Sequence, residues 1–311
     1  MNAMVPVMSD DAFRVARWRA FYQRVRAWIT GNRVSPLLSL DAVRDKLHIR
    51  GQHYAGLQVI PIAQIVGSVG RYHDFNRAFL PEQEYLKQRW RQVYEAAHSM
   101  QGFPPIEVYQ VGEAYFVRDG HHRVSVLKEL GATEVEAYVT VLETPVSLPA
   151  DVTDEELELK GEYAAFLRDA DLQEVRPGAE VQFSLRGMYP TLLEHIAVHR
   201  HYLGLEEQRE IPEPEAVARW YDEVYLPLAH AIREADILSL FPGRTEADLY
   251  LWIIEHRYYL SERTEQDVPI EEAAAEYARE FGQGPSKGQP AGRQVKEEEK
   301  NGRREEADDT K

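Results

Sequence analysis

The sequence predicts an α+β protein: a small mixed-sheet domain behind N-terminal helices, followed by an all-helical domain and a disordered tail. Three observations carry this reading. Between residues 56 and 145, β-branched runs alternate with short amphipathic stretches. From residue 146 to 281 the apolar residues recur at helical spacing almost throughout, and from 282 to 311 apolar content nearly vanishes.

Taken in order, residues 1–55 read as helices packing on the body. Ser9 or Asp10 is placed to cap a helix from about Asp11 that Gly31 would stop, with Phe13, Ala16, Phe21, Val25 and Trp28 at helical spacing. Arg14, Arg17, Arg19, Arg24 and Arg26 crowd its remaining faces, so the expectation is that its aromatics pack inward and its arginines are solvated. Ser39 is placed to cap a second short helix, "SLDAVRDKLHI".

In the 56–145 domain, "LQVIPIAQIVGS" reads as one strand with Pro61 as an edge or bulge mark, followed by the loop "GSVGRYHDFNRAFLP". A helix from Glu82 to about Met100 follows. Then "PPIEVYQVGEAYFVRD" reads as a hairpin around Gly112 and Glu113, His122 to Leu130 as a helix closed by Gly131, and "EVEAYVTVL" as a further strand. Beyond the linker "ETPVSLPADVTDEE", helices are expected at Glu155 to Ala170, Tyr189 to Leu203, Pro214 to Ala235, Glu246 to Glu262 and Ile270 to Phe281.

Bulk properties exclude several classes. The 311 residues contain no cysteine, which removes disulfide frameworks, thiolate metal sites and thiol nucleophiles. No run reaches the roughly 18 apolar residues of a membrane span, and the N-terminus lacks a signal-peptide pattern, so a cytoplasmic protein without membrane association is expected. The net charge of −16 disfavours DNA as a ligand, most of all in the second half, where acidic residues far outnumber basic ones.

The chemistry gathers at "YFVRDGHHRVSVLKELGA". A strand delivers Asp119 and Gly120 to a helix start, where unpaired amides and the positive end of the helix dipole favour an anion. Gly120 lets a phosphate approach the backbone, Arg123 adds a forked donor, and His121 and His122 add donors of adjustable charge. Asp119 is suited to capping the helix, holding Mg²⁺, or taking a proton from an attacking hydroxyl.

The segment from Phe103 to Leu142, with the upstream "VIPIAQIVGS", resembles the superfamily that unites the N-terminal domain of ParB chromosome-partition proteins with sulfiredoxin and the free serine kinases. About 90 residues are covered. The resemblance implies that the turn Gly120, His121, His122, Arg123 binds the phosphates of a nucleoside di- or triphosphate (CTP, ATP or ADP) with Mg²⁺ at Asp119, and that Arg71 in the loop after the first strand lies on a phosphate. It excludes sulfiredoxin chemistry, which needs a cysteine in that turn. Asp119 to Arg123 match most closely the Asp-Gly-His-x-Arg form of the free serine kinases, in which Asp119 and His121 would serve catalysis. Those kinases place a glutamate base after the first strand, where this chain reads Gly67-Ser68-Val69-Gly70-Arg71, so Asp74 would have to substitute.

Three uses follow from the resemblance. The nucleotide is a switch, with the helical domain as a surface for a protein partner or a second copy and DNA as a distant ligand. Alternatively the domain is a small-molecule phosphotransferase or nucleotide hydrolase, or else a scaffold without nucleotide. A separate constellation, Glu194, His195 and His199 with Glu255 and His256, has spacing that can hold a metal, against the alternative of half-buried histidines bonded to their neighbours. The stripe Trp252, Tyr258, Tyr259 reads as core.

Overall fold

The computed structural model describes residues 4–30, 36–99 and 103–282. Gly31 and the tail 283–311 lie outside these. The chain divides into two compact units, Met1–Asp169 and Ala170–Lys311. The division falls beyond the linker at which the sequence suggested it, because the helix at 154–169 packs with the sheet-bearing unit.

The first unit is built on a six-stranded mixed sheet of order β1-β3-β5-β4-β6-β2, formed by β1 (Leu38–Ser39), β2 (Gly51–Pro61), β3 (Ile65–Ser68), β4 (Ile106–Val111), β5 (Ala114–Asp119) and β6 (Glu134–Glu143). β3 runs parallel to β1 and to β5, and β4 parallel to β6, while β4–β5 and β2–β6 are antiparallel. Helices cover both faces. On one, Phe13 of α1 (Met4–Thr30), Trp90 and Val93 of α3 (Lys87–Ala97) and Val124 and Val126 of α4 (His121–Glu129) pack with Ile65, Val108, Val117 and Val139. On the other, Val43 and Leu47 of α2 (Leu40–Leu47) and Leu157 of α5 (Asp154–Asp169) pack with Val66, Val111, Phe116 and Leu142. Burying apolar side chains on both faces of the sheet supplies the main stabilisation of this unit.

The hairpin, α4 and β6 stand where the sequence puts them, and three local readings change. The stretch 57–68 is two strands: after Pro61 the chain makes a short 3₁₀ turn, Ile62–Gln64, which carries β3 away from β2 to pair with β5. The sheet also takes in β1 and the start of β2, both from the segment read as helical. Gly67 marks the crowded point, since a Cβ there would lie 2.2 Å from the Phe116 ring. Finally, α1 begins before Ser9, and neither Ser9 nor Asp10 caps it. Ser9 is fully buried, with its hydroxyl donating to Glu95 Oε1 at 3.1 Å, and Asp10 pairs with Lys87 and Arg91 at 3.2 Å.

The aromatics of α1 do not all pack inward. Phe13, Ala16 and Ala20 are buried, but no residue after Ala20 in this helix is, and Trp28 is 85% exposed, with Phe21 also exposed and Val25 half-buried. Helical spacing shows that a face exists; it does not show which face meets the body. Ser39 stands at the start of α2 without a side-chain cap bond.

The regular elements of the second unit are all helices among its described residues: α6 (Leu172–Val175), α7 (Tyr189–Glu207), α8 (Glu213–Trp220), α9 (Leu226–Glu234), α10 (Glu246–Thr264) and α11 (Ile270–Phe281). The helix expected from Pro214 to Ala235 is interrupted by one π turn at Tyr221–Tyr225. Pro227 explains it: its ring clashes with the carbonyl four residues back, so the hydrogen bonding steps out by one residue and the Leu226 amide bonds to Tyr221 O. Trp220 Nε1 donates to Tyr250 Oη at 2.9 Å at the centre of the aromatic core. Tyr258 and Tyr259 are exposed, contrary to the core reading; Tyr259 lies beside the Arg263 guanidinium. No helix among the described residues is long and apolar enough to cross a membrane.

Candidate functional site

The parallel pairing of β3 with β5 brings two sequence-distant segments together. Ser68 aligns with Val117, and the Val69 amide donates to Val117 O at 2.9 Å, so the loop after β3 and the corner after β5 leave the sheet side by side. Carboxyl ends of adjacent parallel strands are where open sheets place ligands. The β3 loop is pinned by Phe75, which is buried and stacks on His121 with ring centroids 6.3 Å apart, while the edge of His122 meets it at 5.5 Å.

At the corner, Gly120 has φ 104°, and a Cβ there would sit 2.5 Å from Ile106 Cγ2. Only glycine meets both demands. No side chain caps α4. Asp119 turns instead to Arg123, four residues on, and its carboxylate is 70% exposed. The first amides of α4 therefore have neither an intrahelical partner nor a side-chain cap.

Three corner residues are engaged or neutral rather than free cationic donors. Arg123 is engaged within the protein: besides Asp119, it donates to Pro104 O and Pro105 O, each at 2.7 Å. It clips the corner to the segment preceding β4. The histidines are neutral near pH 7. Burial, assisted by the charge of Arg71, pushes His121 down to about 4, and burial with Arg71 and Arg89 does the same to His122. His121 Nε2 shares a 2.7 Å hydrogen bond with the fully buried Ser68 Oγ, which also accepts from the Arg71 amide at 3.0 Å. His122 Nδ1 is buried with no hydrogen-bond partner.

Arg71 is half-exposed, with only a long contact to Asp74 at 3.8 Å. Its amide donates to Ser68 Oγ, which bonds His121, so its backbone lies beside the corner, and its charge helps to lower the pKa of both histidines. Asp74 accepts from Tyr85 Oη and raises that phenol's pKa. The structure thus gathers Arg71, Asp74, Asp119, Gly120, His121 and His122 around an uncapped helix start. Ser68 and Arg89 were not picked out from sequence: Ser68 sits in an apolar strand, and Arg89 on a helix whose packing is non-local.

The second constellation does not assemble as written. His195 packs edge-on against Tyr250 at 5.9 Å, and His199 faces Glu223 at 3.7 Å; burial lowers the pKa of both. Among the described residues, Glu194, His195, His199 and Glu255 form no group with metal-ligand spacing.

With the geometry in place, the chain can be set against known proteins. Residues 190–281 match a family model described as a domain of unknown function, DUF4032. That match covers α7 to α11 of the second unit and leaves the corner outside it. No curated protein matches the chain.

Proposed function

We propose that the first unit binds a nucleoside di- or triphosphate at the corner between β5 and α4, and that the bound nucleotide acts as a switch for a partner. The observation that carries the reading is the meeting of an uncapped helix start at Gly120 with Arg71, across the ends of two adjacent parallel strands. The amides of His121, His122 and Arg123 and the guanidinium of Arg71 hold phosphate oxygens, and the buried, unpartnered Nδ1 of His122 supplies a neutral contact. The exposed carboxylate of Asp119, with Asp74 nearby, holds Mg²⁺ through oxygen ligands, the donor type that ion prefers. Arg123 acts as a positioning residue that fixes the turn through the Pro104 and Pro105 carbonyls. The likeness to the ParB/sulfiredoxin superfamily supports the same reading. The acidic balance of the chain favours a protein partner or second copy over DNA.

A second reading, phosphotransfer to a small hydroxyl compound, is supported by Asp74, a carboxylate in the loop after β3 that pairs loosely with Arg71 and whose charge reaches His122; in that reading it serves as the base. Calorimetric titration with CTP, ATP, ADP and GTP, with and without Mg²⁺, tests the binding claim. Saturable binding weakened by Arg71→Ala supports it. Absence of heat with every nucleotide, in folded protein, leaves the first unit as a scaffold. Slow hydrolysis independent of acceptor supports the switch, and nucleotide consumption that tracks an added hydroxyl compound supports the transferase.

A further inference from the structure

We infer that His256, Glu276 and Glu280 form a binding site for a divalent first-row transition-metal ion. α10 and α11 pack as an antiparallel pair, joined at their turn by Arg257 Nε donating to Val268 O at 2.6 Å and by the Val268 amide donating to Ser261 Oγ at 3.2 Å. This pairing sets His256 of α10 against Glu276 and Glu280 of α11. The two glutamates are one turn apart on a single helix face. One ligand atom from each of the three side chains lies within 4.8 Å of the other two.

The imidazole supplies the independent observation. Its side chain is only 9% exposed, and Nε2 is buried without a hydrogen-bond partner; the nearest carboxylate oxygen, Glu280 Oε2, is 4.0 Å away, beyond hydrogen bonding. A buried polar atom left unpaired is costly, and this one points at two carboxylates. The rings of Tyr277 and Phe281 meet His256 edge-on at 5.6 and 5.7 Å and fix its orientation. His195 and His199 also carry unpaired buried nitrogens, but neither belongs to such a group.

Charge points the same way. Two carboxylates at i and i+4 repel in the absence of a cation. Arg263 and Arg279 approach Glu276 only at 3.9 and 3.8 Å. Metal bonds of roughly 2.0–2.2 Å require the three donors to draw closer than they stand. Both glutamates are partly exposed and can close by rotamer change onto the fixed imidazole. A nitrogen donor with two carboxylates suits Zn²⁺, Mn²⁺, Fe²⁺ or Co²⁺ better than Mg²⁺ or Ca²⁺, and three protein ligands leave positions open to water.

The test is calorimetric titration of the full, untagged, chelator-treated chain with ZnCl₂, alongside the visible spectrum of the chain loaded with Co²⁺. The expected result is one ion per chain, a low-coordinate Co²⁺ spectrum, and binding weakened about tenfold or more by His256→Gln and by Glu280→Gln, with His195→Gln unchanged. Because Glu280 lies on the exposed side, its variant keeps the test decisive even where His256→Gln does not fold. No saturable binding by the folded chain, or equal binding by Glu280→Gln and the parent, overturns the inference. Neither result depends on nucleotide binding in the first unit.

Discussion

Two helices, one in each unit, begin in opposite ways. α10 closes its own start: Thr245 Oγ1 accepts from the Asp248 amide at 3.2 Å, and Asp248 Oδ2 accepts from the Thr245 amide at 2.8 Å. The same carboxylate also accepts from the Ser184 amide and hydroxyl, so Asp248 is buried with its oxygens in use. α4 begins at a glycine with no side-chain cap, and its neighbouring carboxylate is turned away to Arg123. A helix start that is capped serves stability, while one left open beside a cationic loop is available to an anion. An aspartate near a helix start therefore identifies neither role until its partners are known.

The largest effect is expected from breaking the open start. Gly120→Ala introduces a Cβ into Ile106 at a positive φ and should cost about 3 kcal/mol in chemical denaturation. Breaking the closed start should come next. Asp248→Ala removes the capping box and leaves the Ser184 amide without its acceptor, a loss of about 2 kcal/mol, with nucleotide titration unchanged.

The histidines of the corner add a pH dependence of similar size. His121 titrates near 4 when folded and near its ordinary value of 6.5 when unfolded, so between these values the unfolded chain binds more protons. Stability is therefore complete above 6.5 and lost as pH falls toward 4. Comparing urea midpoints at pH 7 and 4.5, this residue should account for about 2 kcal/mol of the loss, and His121→Gln, which keeps a partner for Ser68, should flatten the dependence by that amount. The smallest stability effect belongs to Arg71→Ala. Its half-exposed side chain has only a long ion pair, so stability should change by less than about 0.5 kcal/mol while nucleotide affinity falls roughly tenfold.

Local chemistry made much of this legible in the sequence. Thr245 announced α10, Gly131 ended α4 at φ 75°, and Gly112 turned the hairpin. What escaped was non-local. The run 57–68 is mostly apolar on both sides of Pro61, and its pattern does not show that its two halves pair with different strands. β1 is two residues long and exists only by lying against β3. The corner was singled out because Asp119 to Arg123 are contiguous, and Arg71 because the resemblance implies that the loop after the first strand lies near the nucleotide. The partners of Arg123, two proline carbonyls, and of His121, a serine in a buried strand, depend on how the sheet assembles. His256 was singled out for the same reason as its neighbours but assigned the wrong companions. The carboxylates that lie near it, Glu276 and Glu280, are on α11, across an antiparallel turn that periodicity does not register.

The most direct test of the contrast between the two helix starts is an amide ¹⁵N–¹H spectrum of the full chain titrated with CTP or ATP in the presence of Mg²⁺. The amides of His121, His122 and Arg123 are expected to shift saturably with that of Arg71, while those of Glu246, Ala247 and Asp248 stay in place. Unmoved amides at 121–123 in folded protein at millimolar nucleotide would contradict that expectation and reduce the corner to an uncapped turn.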